Sequence, residues 1–132
     1  VASRRLLVVA DDAQVRETLG RLLALEGYRV EMAEDACDAL TSILVGPSDM
    51  LLVDSGLSGI GGPELCRRIR HNPLLRELPI IMIAGPGATG DEIKGSVDGV
   101  DGLISKSCAP ETIRAAIREL FARRGSAASV RP

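Results

Sequence analysis

The chain has 132 residues, 16 Lys and Arg against 18 Asp and Glu, a formal charge of −2 and a 45% hydrophobic composition, which suits one domain with a sizeable core. Near-neutral charge offers no basic face to displace counterions from phosphates, so nucleic-acid binding by this segment is not expected. The apolar runs fall far short of the ~20 residues that span a bilayer, and the two aromatics, Tyr28 and Phe121, supply no stacking surface for bases or sugars.

Leu6 to Val9 is a continuous apolar run, and Val15, Leu19, Leu22 and Leu23 then recur at helical spacing until Gly27. Tyr28, Val30 and Met32 alternate with polar residues, as in an edge strand with one solvated face. Ala36, Ala39, Leu40 and Ile43 give a second helix its inner stripe, and Met50 to Val53 is again short and fully apolar. Beyond a glycine-rich loop, Pro63 is placed as a first helical residue, with Leu65, Cys66 and Ile69 facing inward. Pro79 opens the run Ile80 to Ile83. Thr89-Gly90-Asp91-Glu92 has the form of a capping box, but the fourth helix it would start carries Gly95 inside it, a cost of roughly 1 kcal/mol relative to Ala. Leu103 and Ile104 form a brief last strand, and Pro110 begins a fifth helix with Ile113, Ile117, Leu120 and Phe121 on one face. From Gly125 the chain is small, polar and unpatterned, giving a domain over 1–124 and a tail or start of a linker over 125–132.

Five strands alternating with five helices, most of the strands unbroken aliphatic runs, describe a doubly wound α/β fold with a parallel sheet covered on both faces. Ligands bind such sheets outside the carboxyl ends of the strands. The residues there are Ala10, Asp11 and Asp12; Asp54, Ser55 and Gly56; Ala84 and Gly85; and Ser105 and Lys106. Converging carboxylates repel without a cation, and their hard oxygens suit Mg²⁺ with several retained waters. Lys106 adds a mobile positive charge fitted to an anionic oxygen. Together these groups point to phosphoryl transfer onto a carboxylate, with Asp54 the nucleophile.

The runs LLVVADD, MLLVDSGLSGIGG, LPIIMIAG and DGLISKS, in that order, make the chain from about Arg5 to Arg123 similar to the receiver domain of two-component response regulators. Asp54 follows Asp11 by 43 residues, Ala84 follows Asp54 by 30, and Lys106 follows Ala84 by 22, as the family's pattern requires. The resemblance implies a flavodoxin-like (βα)5 fold with strand order 2-1-3-4-5. It implies that Asp54 is the phosphoacceptor, Lys106 contacts the phosphoryl group, and Mg²⁺ is held by Asp11, Asp54 and the backbone carbonyl of Gly56. Gly62 matches the glycine at the start of the third helix. The implied partners are a histidine kinase or phosphotransfer protein, an output domain or partner protein on the face of the fourth helix, fifth strand and fifth helix, and a second copy in a homodimer.

Five positions depart from the pattern. Ala10 stands where the family has the first of two adjacent acids, and Ala84 where it has the Ser or Thr that binds the phosphoryl group. Leu103 replaces the switch aromatic, while Ser107 and Ser58 replace prolines. Phosphoacceptance with a muted switch is one expectation; a phosphorylation-independent pseudo-receiver acting as an interaction module is the other. Neither is an enzyme.

Blander roles are assigned elsewhere. Asp12 is read first as the cap of the first helix and second as a further metal ligand. His71 receives no function, and Cys37, Cys66 and Cys108, odd in number and scattered, are read as small buried hydrophobes without disulfide or zinc spacing. Arg67, Arg68, Arg70, Arg114, Arg118, Arg123 and Arg124 are read as solvated helix faces. Gly85 to Gly90 spells G-x-G-x-x-G, but Pro86 removes an N–H from that turn and Lys106 ends the next strand where a ribose-binding acid should be, so a dinucleotide is not expected. The loop Gly56 to Gly62 lacks the Lys-Ser/Thr of a P-loop. With no leader recognised at its start, the chain is expected in a reducing cytoplasm, and its lack of an initiator Met suggests a piece of a longer protein.

Overall fold

In the computed structural model, residues 4–57, 59, 61–85, 100–106 and 108–130 are described, with side chains through 123. The strands are β1 (Arg5–Val9), β2 (Arg29–Ala33), β3 (Met50–Asp54), β4 (Ile80–Ala84) and β5 (Gly102–Ser105); the helices among the described residues are α1 (Ala13–Leu25), α2 (Ala36–Val45), α3 (Gly61–His71) and α4 (Pro110–Val130). All strand pairs are parallel, in the order β2-β1-β3-β4-β5 expected from the sequence.

Strand alternation divides the core in two. Leu7, Val9, Leu51, Val53, Met82 and Ala84 meet Ala36, Ala39 and Ile43 of α2 and Leu65, Cys66 and Ile69 of α3. Leu6, Val8, Met50, Leu52, Ile81 and Ile83 meet Leu19 and Leu23 of α1 and Ile113, Ile117, Leu120 and Phe121 of α4. With both faces covered, β1, β3 and β4 are apolar at nearly every position, which is why they read as unbroken runs. Each fully buried aliphatic side chain contributes about 1.5–3 kcal/mol, so the sheet centre is the stable platform for whatever its edge carries.

Asp12 caps α1, accepting from Gln14 N at 2.8 Å, and Asp35 caps α2, accepting from Asp38 N at 2.7 Å. Gly27, at φ 93°, ends the α1 turn in a conformation that L side chains rarely adopt. Several local expectations need correction. Helix α3 begins at Gly61, so Pro63 lies inside its first turn, where a missing N–H costs no helical bond. The face of β2 expected to be solvated carries Glu31, which pairs with Arg5 and accepts from Ser42 Oγ at 3.1 Å, because α2 covers that side. Helix α4 continues to Val130 through residues read as unpatterned, an alanine-containing stretch compatible with helix. The expected fourth helix, with its capping box and Gly95, and most of the G-x-G-x-x-G stretch lie outside the described residues, as do Ser58 and Ser107.

Arg70 is not a solvated side chain. Its guanidinium donates to the carbonyls of Arg76 (2.9 Å) and Leu78 (2.7 Å) and pairs with Asp101 at 2.9 Å, whose carboxylate also accepts from Ile80 N at 2.8 Å. One arginine thereby ties the end of α3 to the starts of β4 and β5. Arg67 and Arg68 fit the surface reading, exposed and paired with Glu64, which they hold below the usual carboxylate range, whereas Arg114 is half-buried and pairs with Glu26 at 3.5 Å. His71 is exposed at the end of α3.

Of the three cysteines only Cys66 is buried; Cys37 lies on the outer side of α2 beside inward-facing Ala36, and Cys108 is half-buried. Burial pushes the Cys66 thiol up to about 11 from an ordinary 9.0. The native state therefore holds this proton more tightly than the unfolded chain. Its contribution to stability is complete below the unfolded value and is lost as pH rises from there through about 11. Denaturant titrations at about pH 8 and about pH 10.5 should show a larger loss for the parent chain than for Cys66→Ala, and thiol reagents should modify Cys37 well before Cys66.

Candidate functional site

The site begins with a carboxylate at the end of a fully buried strand. Asp54, the last residue of β3, is 2% exposed. The ladder reaches past it, with Ser55 N donating to Ile83 O at 2.9 Å, and the chain then turns sharply: Gly56 N donates to Asp54 Oδ1 at 2.8 Å and Leu57 N to Asp54 O at 3.3 Å. The side chain thus shapes its own turn, a habit of aspartate at such places. The turn closes against α3 through Gly62, where a Cβ would lie 2.6 Å from Asp54 O and 3.1 Å from Ser55 Cα. Any side chain at this position would push α3 away from the strand end. Gly59 and Gly61, at φ 77° and 83°, supply the backbone needed between them.

Lys106 arrives from the other side of β4. Its N–H donates to Ala84 O at 2.9 Å, extending the β4–β5 ladder by one residue. Its Nζ is 2.8 Å from Asp54 Oδ2. The stem runs alongside Gly85, where a Cβ would stand 3.7 Å from Lys106 Cδ and 3.9 Å from Nζ. A Cβ there would be in ordinary van der Waals contact with the stem, so the lysine runs directly over the β4 end. Both Asp54 oxygens are thus engaged, one by a backbone N–H and one by an ammonium, and the charge is buried only because it is paired. Among the described residues no buried side-chain polar atom lacks a hydrogen-bond partner.

The register explains the significance of position 10. Val9 pairs with Val53, so one further step along both strands brings Ala10 beside Asp54, and alternation puts their Cβ atoms on one face. Ala10 is 1% exposed, and Ala84 at the end of β4 is 7% exposed. Two positions flanking the buried acid thus carry methyl groups. Leu103 is half-buried and packs against the α2–α3 side of the core. Asp11 is exposed at the turn into α1, and one carboxylate oxygen of Asp12 is committed to the cap.

Among the described residues no three His, Cys, Asp or Glu side chains gather into a metal cage. Mg²⁺ does not require one, because it keeps several waters and takes one or two carboxylates. The Asp54 and Asp11 carboxylates and the Gly56 carbonyl, each at or just past a strand end, are oxygen donors of a chemistry that suits this ion, with one carboxylate fewer than an acid at position 10 would give.

A parallel doubly wound sheet with a buried aspartate and a lysine at its carboxyl edge is the arrangement of a signal-receiver type of domain. The comparisons carry this further. A family model for the response regulator receiver domain matches residues 6–118, and the chain belongs to that family. It is 31% identical over 132 residues to the phosphate regulon transcriptional regulatory protein PhoB of Pseudomonas aeruginosa, covering all of this chain and 58% of that protein. It is 36% identical over 121 residues to the response regulator MprA of Mycobacterium bovis, covering 92% of this chain and 52% of that one. The chain spans about half the length of these curated relatives. Among solved structures, a putative response regulator from Chloroflexus aurantiacus superposes with a TM-score of 0.85 at 33% identity, covering 92% of this chain and 99% of that one. The chemotaxis response regulator CheY4 of Vibrio cholerae gives 0.83 at 25% identity, with 90% and 99% covered.

Gly62→Ala should destabilise the fold by about 1–3 kcal/mol, because the new methyl meets backbone rather than a yielding side chain. The amide resonances of Ser55 and Gly56 should shift with it. Unchanged denaturation and unchanged resonances would show that α3 sits farther from the strand end.

Proposed function

We propose that this chain is a phosphoacceptor receiver module, and that Asp54 takes a phosphoryl group from a phosphohistidine of a histidine kinase or phosphotransfer protein. The observation that carries this reading is the buried Asp54 carboxylate held by Lys106 across the open end of β4. In the step, a carboxylate oxygen of Asp54 attacks phosphorus, an O–P bond forms, the N–P bond breaks, and the imidazole nitrogen leaves with the electron pair and takes up a proton from water. Lys106, already on one Asp54 oxygen, moves its ammonium onto an oxygen of the incoming phosphoryl group, where it offsets the added charge. Gly56 N keeps the second carboxylate oxygen oriented.

Asp11, Asp54 and the Gly56 carbonyl would hold Mg²⁺, which supplies further neutralisation of the phosphoryl oxygens when bound. With Ala10 in place of an acid, that binding is weak. The groove of about 320 Å³ between α1 and α4, lined by Val15, Leu19, Leu22, Cys108 and Ile113, opens beside Lys106 and gives a phosphohistidine-bearing partner its approach. No helix among the described residues is long and apolar enough to cross a membrane. A cytoplasmic signalling role, with the phosphorylated state read by an output domain or separate protein, is part of the same proposal. So is the division into a receiver over 1–124 and a following connection.

Intact-mass measurement after treatment with a small phosphodonor and Mg²⁺ should show one added phosphoryl group, absent in Asp54→Asn and formed more slowly with a chelator present. An unmodified parent chain across a range of Mg²⁺ concentrations favours the alternative, a receiver fold used as a phosphorylation-independent interaction module.

Ala84 and Leu103 give this receiver a muted switch. A phosphoryl group shifts a conformational equilibrium only by its differential contacts with the two states, and Ala84 offers no hydroxyl. The missing charge-assisted hydrogen bond is worth about 1.5–3 kcal/mol, or roughly tenfold or more in the active population. Phosphorylation of the parent chain should therefore change amide shifts little beyond the Asp54 site, and Ala84→Thr should extend the changes through Leu103 and α4. Large changes already present in the parent would place the coupling in another group.

A further inference from the structure

We propose that Arg16 is a positioning residue for Asp11, holding that acid in the orientation a divalent cation needs. The inference rests on the reading of Asp11 as a metal ligand. Ala10 N closes the last β1–β2 bond to Ala33 O at 3.1 Å, after which the chain leaves the ladder for α1. The carbonyl of Ala10 is then left without a ladder partner, at a residue 1% exposed. Arg16 Nη1 donates to it at 2.6 Å.

The reach is natural for this place in the helix. Arg16 N accepts no choice of register, since it donates to Asp12 O at 3.1 Å and closes the first turn after the cap. Side chains on a helix lean toward its N-terminus, so a long one in the second turn folds back over the strand end. The Ala10 carbonyl and the Asp11 N–H belong to a single peptide plane. Fixing the oxygen fixes the plane, and with it the position of the Asp11 Cα from which the side chain departs. On the other side, the Asp12 carboxylate is pinned to Gln14 N at 2.8 Å. Asp11 is thus held between two anchored neighbours while its own side chain stays exposed.

Ala10 strengthens the assignment. A carboxylate at that position would stand within reach of the strand end and compete for the guanidinium, whereas a methyl group leaves the carbonyl as the acceptor. In a site short of one acid, the orientation of the remaining ones decides affinity, and partners that orient metal ligands are typically worth about 10–100-fold in metal binding.

The test is Mg²⁺ titration, read from the amide shifts of Gly56 and Asp11, on the parent chain, Arg16→Ala, Arg16→Lys, Asp11→Asn and the Asp11→Asn, Arg16→Ala double variant, with thermal melting of each. Arg16→Ala should bind Mg²⁺ about 10-fold more weakly, and Arg16→Lys, which retains a donor, should recover part of the loss. In the Asp11→Asn background, removing Arg16 should change nothing further, a non-additivity that general loosening of α1 would not produce. Arg16→Ala binding like the parent, or an equal loss with and without Asp11, overturns the inference; should Arg16→Ala fail to fold, the Arg16→Lys shift with and without Asp11 decides it in the same way. A parent chain that binds no Mg²⁺ at Asp11 and Asp54 overturns the metal reading itself, and the phosphodonor experiment judges Asp54 separately.

Discussion

The structure turns on the ion pair between Asp54 and Lys106. A carboxylate 2% exposed at the end of the central strand would be strongly destabilising without a counter-charge. The counter-charge comes from the edge strand, two strands away in the sheet. That requirement constrains the surrounding chain. Strands β3, β4 and β5 must be consecutive neighbours, and β5 must end one residue before the lysine, whose stem crosses the β4 end beside Gly85. On the opposite side, Gly62 must be bare so that α3 can close over the same strand end. The pair is less a stabilising contact than a condition that the fold satisfies in order to keep an ionised acid where a strand would otherwise place an apolar residue.

Much of this was legible in the sequence because it depends on local period and on spacing. Fully buried parallel strands announce themselves as aliphatic runs, and Asp12 and Asp35 cap helices by interactions spanning only two or three residues. The separations of Asp11, Asp54, Ala84 and Lys106 pointed to the carboxyl edge of the sheet because each sits one or two steps past a recognisable run. What escaped was non-local or irregular. Nothing near Arg70 signals that its guanidinium meets Asp101, 31 residues later, and a run of arginines on a helix ordinarily means solvent. Arg16 received no reading, although its place one turn after the cap would have allowed its reach to the strand end to be drawn. The burial of Cys66 and exposure of Cys37 follow from helix faces that Ile69 and Ala36 already mark, so that distinction was available from periodicity and was lost by treating the cysteines as a group.

Position 10 and position 84 share a physical consequence that separates this site from a fully polar one. An acid at 10 would put a second carboxylate beside Asp54 on the same face of the sheet, with a like-charge repulsion that a dry site screens poorly. A hydroxyl at 84 would need a partner in the resting state, since a buried donor left unpaired costs about 1–3 kcal/mol. Methyl groups at both places remove those liabilities, and among the described residues no buried side-chain polar atom is left without a partner. The resting site is accordingly better satisfied, and among the described residues Lys106 balances Asp54 at close range.

That satisfaction works against signalling in one direction only. A receiver responds when added charge makes new contacts that the resting state lacks, and the size of the response is the difference between the two sets. Removing a resting-state repulsion lowers the energy released when a cation binds, and removing a hydroxyl lowers the energy gained when a phosphoryl group arrives. Both changes leave the Asp54 carboxylate, its counter-charge and its turn untouched. In the proposed function the chemistry at Asp54 and the propagation of its consequences rest on different residues: the acid, its lysine and its turn are retained, while position 10 departs from the family's pattern at the metal and positions 84 and 103 depart from it at the switch.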